Sequence, residues 1–249
     1  MKHLRPVFWV LATLSFVAAP FSSPVAAQAA ESGQKLNGFP FTDEDLNYSI
    51  VWPTGVSLGE AHLHAKHAGE KWNFTFTVDA GVPGFTVKDT YRSDVVPEVA
   101  PNFCSVAFER SSTHGTHVVN EKETIDRERA MASRGALSGS GAAQIPVPAC
   151  VKDALAYLFW ARREMGQGRV PASQDILLGA LHPIRVDYVG EPVITMNGKP
   201  VQTDEVTCTW GMGSAAVTFD VYFARDAART PLRVTAPTLM GKFSMELVR

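Results

Sequence analysis

Trp72-Asn73-Phe74-Thr75-Phe76-Thr77-Val78-Asp79 decides the fold of this chain. Large apolar side chains stand at every second position with polar ones between them, the period of a pleated strand that has one dry face and one wet face. Upstream, Ala61-His62-Leu63-His64-Ala65 repeats the alternation, and Ala68-Gly69 separates the two runs, so the pair reads as a hairpin. Outward from it, similar strands are predicted over residues 85–95, 104–110, 117–127 and 184–189. Asn197-Gly198 is the strongest turn signal, because a type I′ turn needs positive φ at both central residues and this pair tolerates it at little cost. It joins residues 193–196 to 201–210. Further on, Val217, Phe219, Val221 and Phe223 alternate with Thr218, Asp220 and Tyr222. Met240-Gly241 then divides residues 232–239 from a last strand whose inward set is Phe243, Met245 and Leu247.

One segment breaks the period of two. After the Gly/Ser/Pro-rich stretch 138–148, which reads as a linker, Leu155, Leu158 and Phe159 fall at helical spacing and Gly166 and Gly168 supply stop signals. The spacing predicts one helix over residues 153–165. Tyr157 and Trp160 lie outside its central stripe, which makes the dry surface broad and suits a helix covering an open end or face of the sheet. The fold class that follows is mainly β: an antiparallel curved sheet or incomplete β-barrel with one covering α-helix.

The N-terminus runs from basic (Lys2, Arg5) through an apolar stretch (residues 7–19) to small residues around Val25-Ala26-Ala27-Gln28-Ala29, the order of a secretory signal peptide. Cleavage is expected after Ala27, with Ala29 the alternative. The apolar run before Pro20 is shorter than the roughly 20 residues a spanning helix needs, and no later run reaches that length, so no transmembrane segment is expected in the mature chain. Residues 1–27 are thus assigned to the signal peptide, 28–40 to a flexible lead-in and 41–249 to one β-rich domain, and the mature protein is expected in the periplasm. Without Lys2 and Arg5 the chain holds 21 basic against 25 acidic residues, a net charge of −4, and no basic stripe that would suit nucleic acid. Its 45% hydrophobic content argues for a packed globule.

Three cysteines in a chain bound for an oxidising compartment permit at most one internal bridge. Cys208 alternates with Val206 and Trp210 on an apolar strand face, which favours a buried thiol there and a bridge between Cys104 and Cys150; three reduced, buried cysteines remain the alternative.

The helix at Asp153-Ala154-Leu155-Ala156-Tyr157-Leu158-Phe159-Trp160-Ala161-Arg162, the segment Val221-Tyr222-Phe223-Ala224-Arg225-Asp226 followed by Arg229-Thr230-Pro231-Leu232-Arg233-Val234, and the opening Tyr48-Ser49-Ile50-Val51-Trp52-Pro53-Thr54-Gly55-Val56-Ser57-Leu58-Gly59 occur in an order and spacing that resemble domain-of-unknown-function family 3108 of bacterial exported proteins. The resemblance extends over nearly all of the mature chain. It implies a periplasmic, predominantly β protein, and it carries over no catalytic or ligand-binding residue.

Candidate chemistry is sparse. His62, His64 and His67 form the sharpest metal candidate, since histidines at i and i+2 on a strand point the same way; His114 and His117 are a second pair. No acidic partner stands beside them in sequence, and solvated histidines on a wet strand face need no ion. There is no Gly-x-Ser-x-Gly elbow, Ser140 sits in a linker, and Gly211-Met212-Gly213 is too isolated to cradle phosphate. Neither a cofactor nor an enzymatic role is expected. The first functional expectation is a binding or carrier module for an apolar or lipid-like envelope ligand contacting Leu155, Tyr157, Phe159 and Trp160. An envelope protein-interaction module and a metal-binding protein through the strand histidines are the alternatives.

Overall fold

A computed structural model describes residues 42–97, 102–136, 142–238 and 241–248. The expected signal peptide, the expected cleavage site and the expected lead-in lie outside these residues, as does Ser140. The first wing of the sheet contains β1 (Glu44–Val51), β2 (Ser57–Ala68), β3 (Lys71–Val82), β4 (Phe85–Val96), β5 (Cys104–His114), β6 (His117–Asp126), β7 (Met131–Ala136) and β8 (Ala142–Pro146). Then come β9 (Lys152–Asp153), the helix α1 (Ala154–Gly166), β10 (Gln174–Leu177), β11 (Leu181–Gly190), β12 (Val193–Met196), β13 (Lys199–Trp210), β14 (Val217–Ala224), β15 (Pro231–Thr238) and β16 (Gly241–Val248).

All of these strands join one sheet. Strands β1 to β8 meander outward in chain order, β16 back to β13 and then β11, β10 and β9 form the other wing, and β12 hangs on β13. The two wings meet where β1 pairs with β16, Tyr48 opposite Leu247. Every pairing is antiparallel except that of β9 with β10. The deciding hairpin is present as read, with Leu63 opposite Phe76 and Ala65 opposite Phe74, and Asn197 and Gly198 take φ of 50° and 74°, the turn that pair favours. At Gly59 the sheet closes so tightly that a Cβ would lie 2.1 Å from the Asp79 carbonyl oxygen.

The wings curl toward each other. Where they approach, the Ser105 amide donates to the Val151 carbonyl at 3.0 Å, and Ile125, Ala132, Val147, Val151 and Leu177 form one buried apolar cluster. The result is a β-barrel-like sheet whose seam is closed by side chains and isolated hydrogen bonds instead of a continuous ladder. Cys104 and Cys150 are bonded beside this seam, while Cys208 is a buried free thiol.

The one helix covers the curved sheet as expected, and it does so from inside the curl. None of its residues is exposed. Leu155, Ala156 and Phe159 pack with β1–β4, whereas Tyr157, Ala161 and Met165 pack with β10–β14. Because it is apolar on two faces, it fills the space inside the curl, and each wing packs on one face. The stretch read as a linker, residues 138–148, contains β8, and residues 131–136 and 174–177 are strands that carried no alternating signal.

Candidate functional site

Helix α1 begins at a rigid point. Asp153 caps it, with Oδ1 accepting from the amides of Leu155 (2.8 Å) and Ala156 (3.0 Å), and Oδ2 accepting from the hydroxyls of Ser93 (2.5 Å) and Ser105 (2.7 Å). Near the far end, wholly buried Arg162 forms a two-pronged pair with Glu44 at 2.8 and 2.9 Å. Its Nε donates to the carbonyls of Ala228 and Arg229. Anchored at both ends, the helix holds a stripe of side chains at fixed height inside the sheet.

That stripe faces a cavity of about 270 Å³ between the helix and the second wing. Ala154, Leu155, Tyr157, Leu158, Ala161 and Met165 line the helix side. Ile176, Ile184, Val186, Val206, Val221 and Phe223 supply much of the sheet side, with Phe76, Val234 and Met245 among the remainder. An apolar cavity of about 150 Å³ already accepts a benzene molecule, so this space is large enough for a larger apolar group.

Among the lining residues, Tyr157 and Cys208 carry buried polar groups. The Tyr157 hydroxyl is buried and has no hydrogen-bond partner in the protein, although buried tyrosine hydroxyls usually find one. Burial raises its pKa above the ordinary tyrosine value, so it stays a neutral donor. The Cys208 thiol, across the cavity, is pushed by burial up to about 12, with the carboxylates of Asp220 and Asp187 adding to the rise. At that pKa it is unreactive at neutral pH.

Of the four helix residues expected to touch a ligand, Leu155 and Tyr157 line the cavity and Phe159 and Trp160 do not. Phe159 turns to the opposite wing and stacks on Phe74, ring centroids 3.8 Å apart. Trp160 lies against Tyr157 and carries the Lys152 ammonium 4.8 Å over its ring. Ala154, Leu158, Ala161 and Met165 also line the cavity and were missed. The i, i+4, i+8 series Tyr157, Ala161, Met165 was the available signal, obscured by the small central alanine.

The histidines do not converge. His62 Nδ1 is 2.6 Å from Asn47 Oδ1 and His64 is hydrogen-bonded to Asp45, partners on the neighbouring strand that adjacency in sequence could not reveal. His67 turns to the Trp72 ring, and His114 meets Asp89 at 3.0 Å. Among the described residues no group of three potential metal ligands occurs, and no helix is long and apolar enough to cross a membrane.

Comparison with curated proteins finds no match. Among solved structures, the fold is similar to the crystal structure of a β-barrel-like protein of domain of unknown function DUF1849 from Brucella abortus, with a TM-score of 0.56 and 10% sequence identity over 83% of this chain and 96% of that one. At that identity the likeness speaks for the fold. The model of a protein family of unknown function, DUF3108, matches residues 47–248, the span from the first strand to the last that encloses the cavity, and the chain therefore belongs to the DUF3108 family.

Proposed function

We propose that this protein is an exported, non-enzymatic binding or carrier module that takes an apolar, lipid-like ligand into the cavity beside α1. The observation that carries the reading is the cavity itself, about 270 Å³ in size and lined almost wholly by apolar side chains of the helix and the second wing. Pockets that bind small apolar molecules are concave and lined mainly by hydrophobic and aromatic side chains, the character this space has. A chain secreted into an aqueous envelope compartment would shield such a ligand from water, and the N-terminal basic-apolar-small order supports that location.

The test uses purified protein lacking the first 27 residues. Solvent extraction and mass spectrometry of the native preparation are expected to recover a lipid-like molecule, and the stripped protein is expected to bind the neutral fluorophore N-phenyl-1-naphthylamine. Ala161→Phe, which places a ring in the cavity, removes that binding. A preparation that releases nothing and a stripped protein that leaves the fluorophore dark would end the carrier reading.

A further inference from the structure

Beyond Met165 and Val206, which also line the apolar cavity, lies a second recess of about 320 Å³. Its other lining residues include Arg169, Arg225, Arg229, Tyr188, Glu191 and Asp204. The two spaces thus share a wall made of one flexible thioether and one small aliphatic side chain. Methionine, with three rotatable bonds, is the side chain best able to move aside without repacking its neighbours.

The recess gathers guanidinium groups faster than it gathers carboxylates. Arg225 and Arg229 both bond to Asp204, one to each of its oxygens. Arg225 also pairs with the half-exposed Glu191, a surface contact of small worth that another anion can replace. Arg169 is paired with Glu164, which is not among the lining residues. The Arg229 Nε is buried with no acceptor, an unmet donor on a group that cannot give up its charge. Its backbone is fixed, because the carbonyls of Ala228 and Arg229 hold the buried Arg162 of the helix. Arg225 and Arg169 remain 39% and 53% exposed, so this end of the site is charged and within reach of water while the other end is lined by apolar side chains.

We infer that the ligand is an anionic amphiphile: its acyl chain fills the apolar cavity, its acidic head, carboxylate or phosphate, sits in the recess on Arg229 and Arg225, and Met165 lies over the neck between them. This rests on the carrier reading and adds the head group and the chain length. Scaled from the cavity of about 150 Å³ that holds six carbons of benzene, 270 Å³ holds roughly ten, so a chain of medium length fills it.

Three probes separate the possibilities in calorimetric titrations of stripped protein: decanoate, decan-1-ol and inorganic phosphate. Decanoate is expected to bind roughly tenfold tighter than decan-1-ol or better, the worth of a hydrogen bond to a charged group, and its affinity alone should fall with added salt. Arg229→Gln and Arg225→Gln should each shrink the ratio of the two affinities toward one, with far-UV circular dichroism verifying that the variants are folded. If both are unfolded, the salt dependence in the wild-type protein decides. Equal binding of decanoate and decan-1-ol, with no salt effect, overturns the head-group assignment and leaves the carrier reading standing. Phosphate binding as tight as decanoate also overturns it, because the recess would then be a free-anion site. Failure of both ten-carbon probes overturns this inference, and the carrier reading falls with it where the fluorophore also stays dark.

Discussion

Asp153 ties the start of the helix to β4 and β5. Wholly buried, it accepts from two helix amides and two serine hydroxyls, while its own amide donates to Ser105 Oγ at 2.8 Å. Desolvation raises its pKa and those donors oppose the rise. Asp153→Ala removes the cap, worth about 0.5–2 kcal/mol, and strands buried donors at about 1–3 kcal/mol; a loss of roughly 2–4 kcal/mol in urea unfolding is expected. Asp153→Asn keeps the oxygen that caps the helix and should cost less than half as much. Equal losses for the two variants would mean that the charge, and not the bonding pattern, is what the site requires. The start of the helix was legible in the sequence, yet Ser93 and Ser105, 60 and 48 residues upstream, carry no local mark of their role. The Cys104–Cys150 bridge closes a separation of 46 residues, and Cys150→Ser is expected to destabilise by about 4 kcal/mol in the chain-entropy view, measured as the drop in urea midpoint under non-reducing conditions. That pairing was favoured by placing Cys208 on a dry strand face, where it does lie.

Helix α1 has two working faces, and they should separate experimentally. Phe159 is fully buried against Phe74, whose ring in turn meets Phe103, so Phe159→Ala is expected to cost about 3–5 kcal/mol while fluorophore binding by the folded fraction persists. Ala161→Phe should do the reverse, losing binding with a smaller change in stability because the added ring enters existing space. A Phe159 variant that folds but no longer binds would show that the two faces are coupled. The sequence contained the apolar stripe but not its consequence: Leu155, Leu158 and Phe159 suggested one dry side, whereas the small residues Ala154, Ala156 and Ala161 are what allow sheet to approach from two directions. The unread strands have a related cause. Residues 131–136, Met-Ala-Ser-Arg-Gly-Ala, hold no β-branched or aromatic side chain, so their strand comes from pairing with β6 and β8 and not from local preference. The cavity was illegible for the same reason as the seam, since both exist only where residues from distant strands face each other.

At the scale of the whole molecule, the curl closes through side chains and isolated hydrogen bonds and not through a continuous ladder. Glu123 on β6 accepts from the Gly179 amide in the β10–β11 turn at 2.5 Å; its other oxygen is buried and unpartnered, and the side chain is wholly buried. Burial pushes its pKa up to about 7; the Gly179 amide opposes the rise, Glu121 and Asp153 add to it, and Arg134 opposes it. In the unfolded chain the same group ionises near 4.5. Below about pH 4.5 both states carry the proton and nothing is lost. Between about 4.5 and 7 the unfolded chain releases its proton first, so stability contributed by the protonated group declines as pH rises through that window and is gone above it, a swing on the order of 3 kcal/mol. Glu123→Gln keeps the acceptor for Gly179 and carries no charge to desolvate. Its urea midpoint is therefore expected to exceed that of the wild type at pH 8, to match it near pH 4.5, and to show a flatter profile between. Parallel profiles for the two proteins would place the protonation elsewhere. Because the seam holds the second wing, and with it the sheet side of the cavity, against the helix, the same substitution should also slow the release of bound fluorophore at pH 8 relative to wild type. Unchanged release despite a raised urea midpoint would mean that the ligand leaves by the Met165 end without the curl opening.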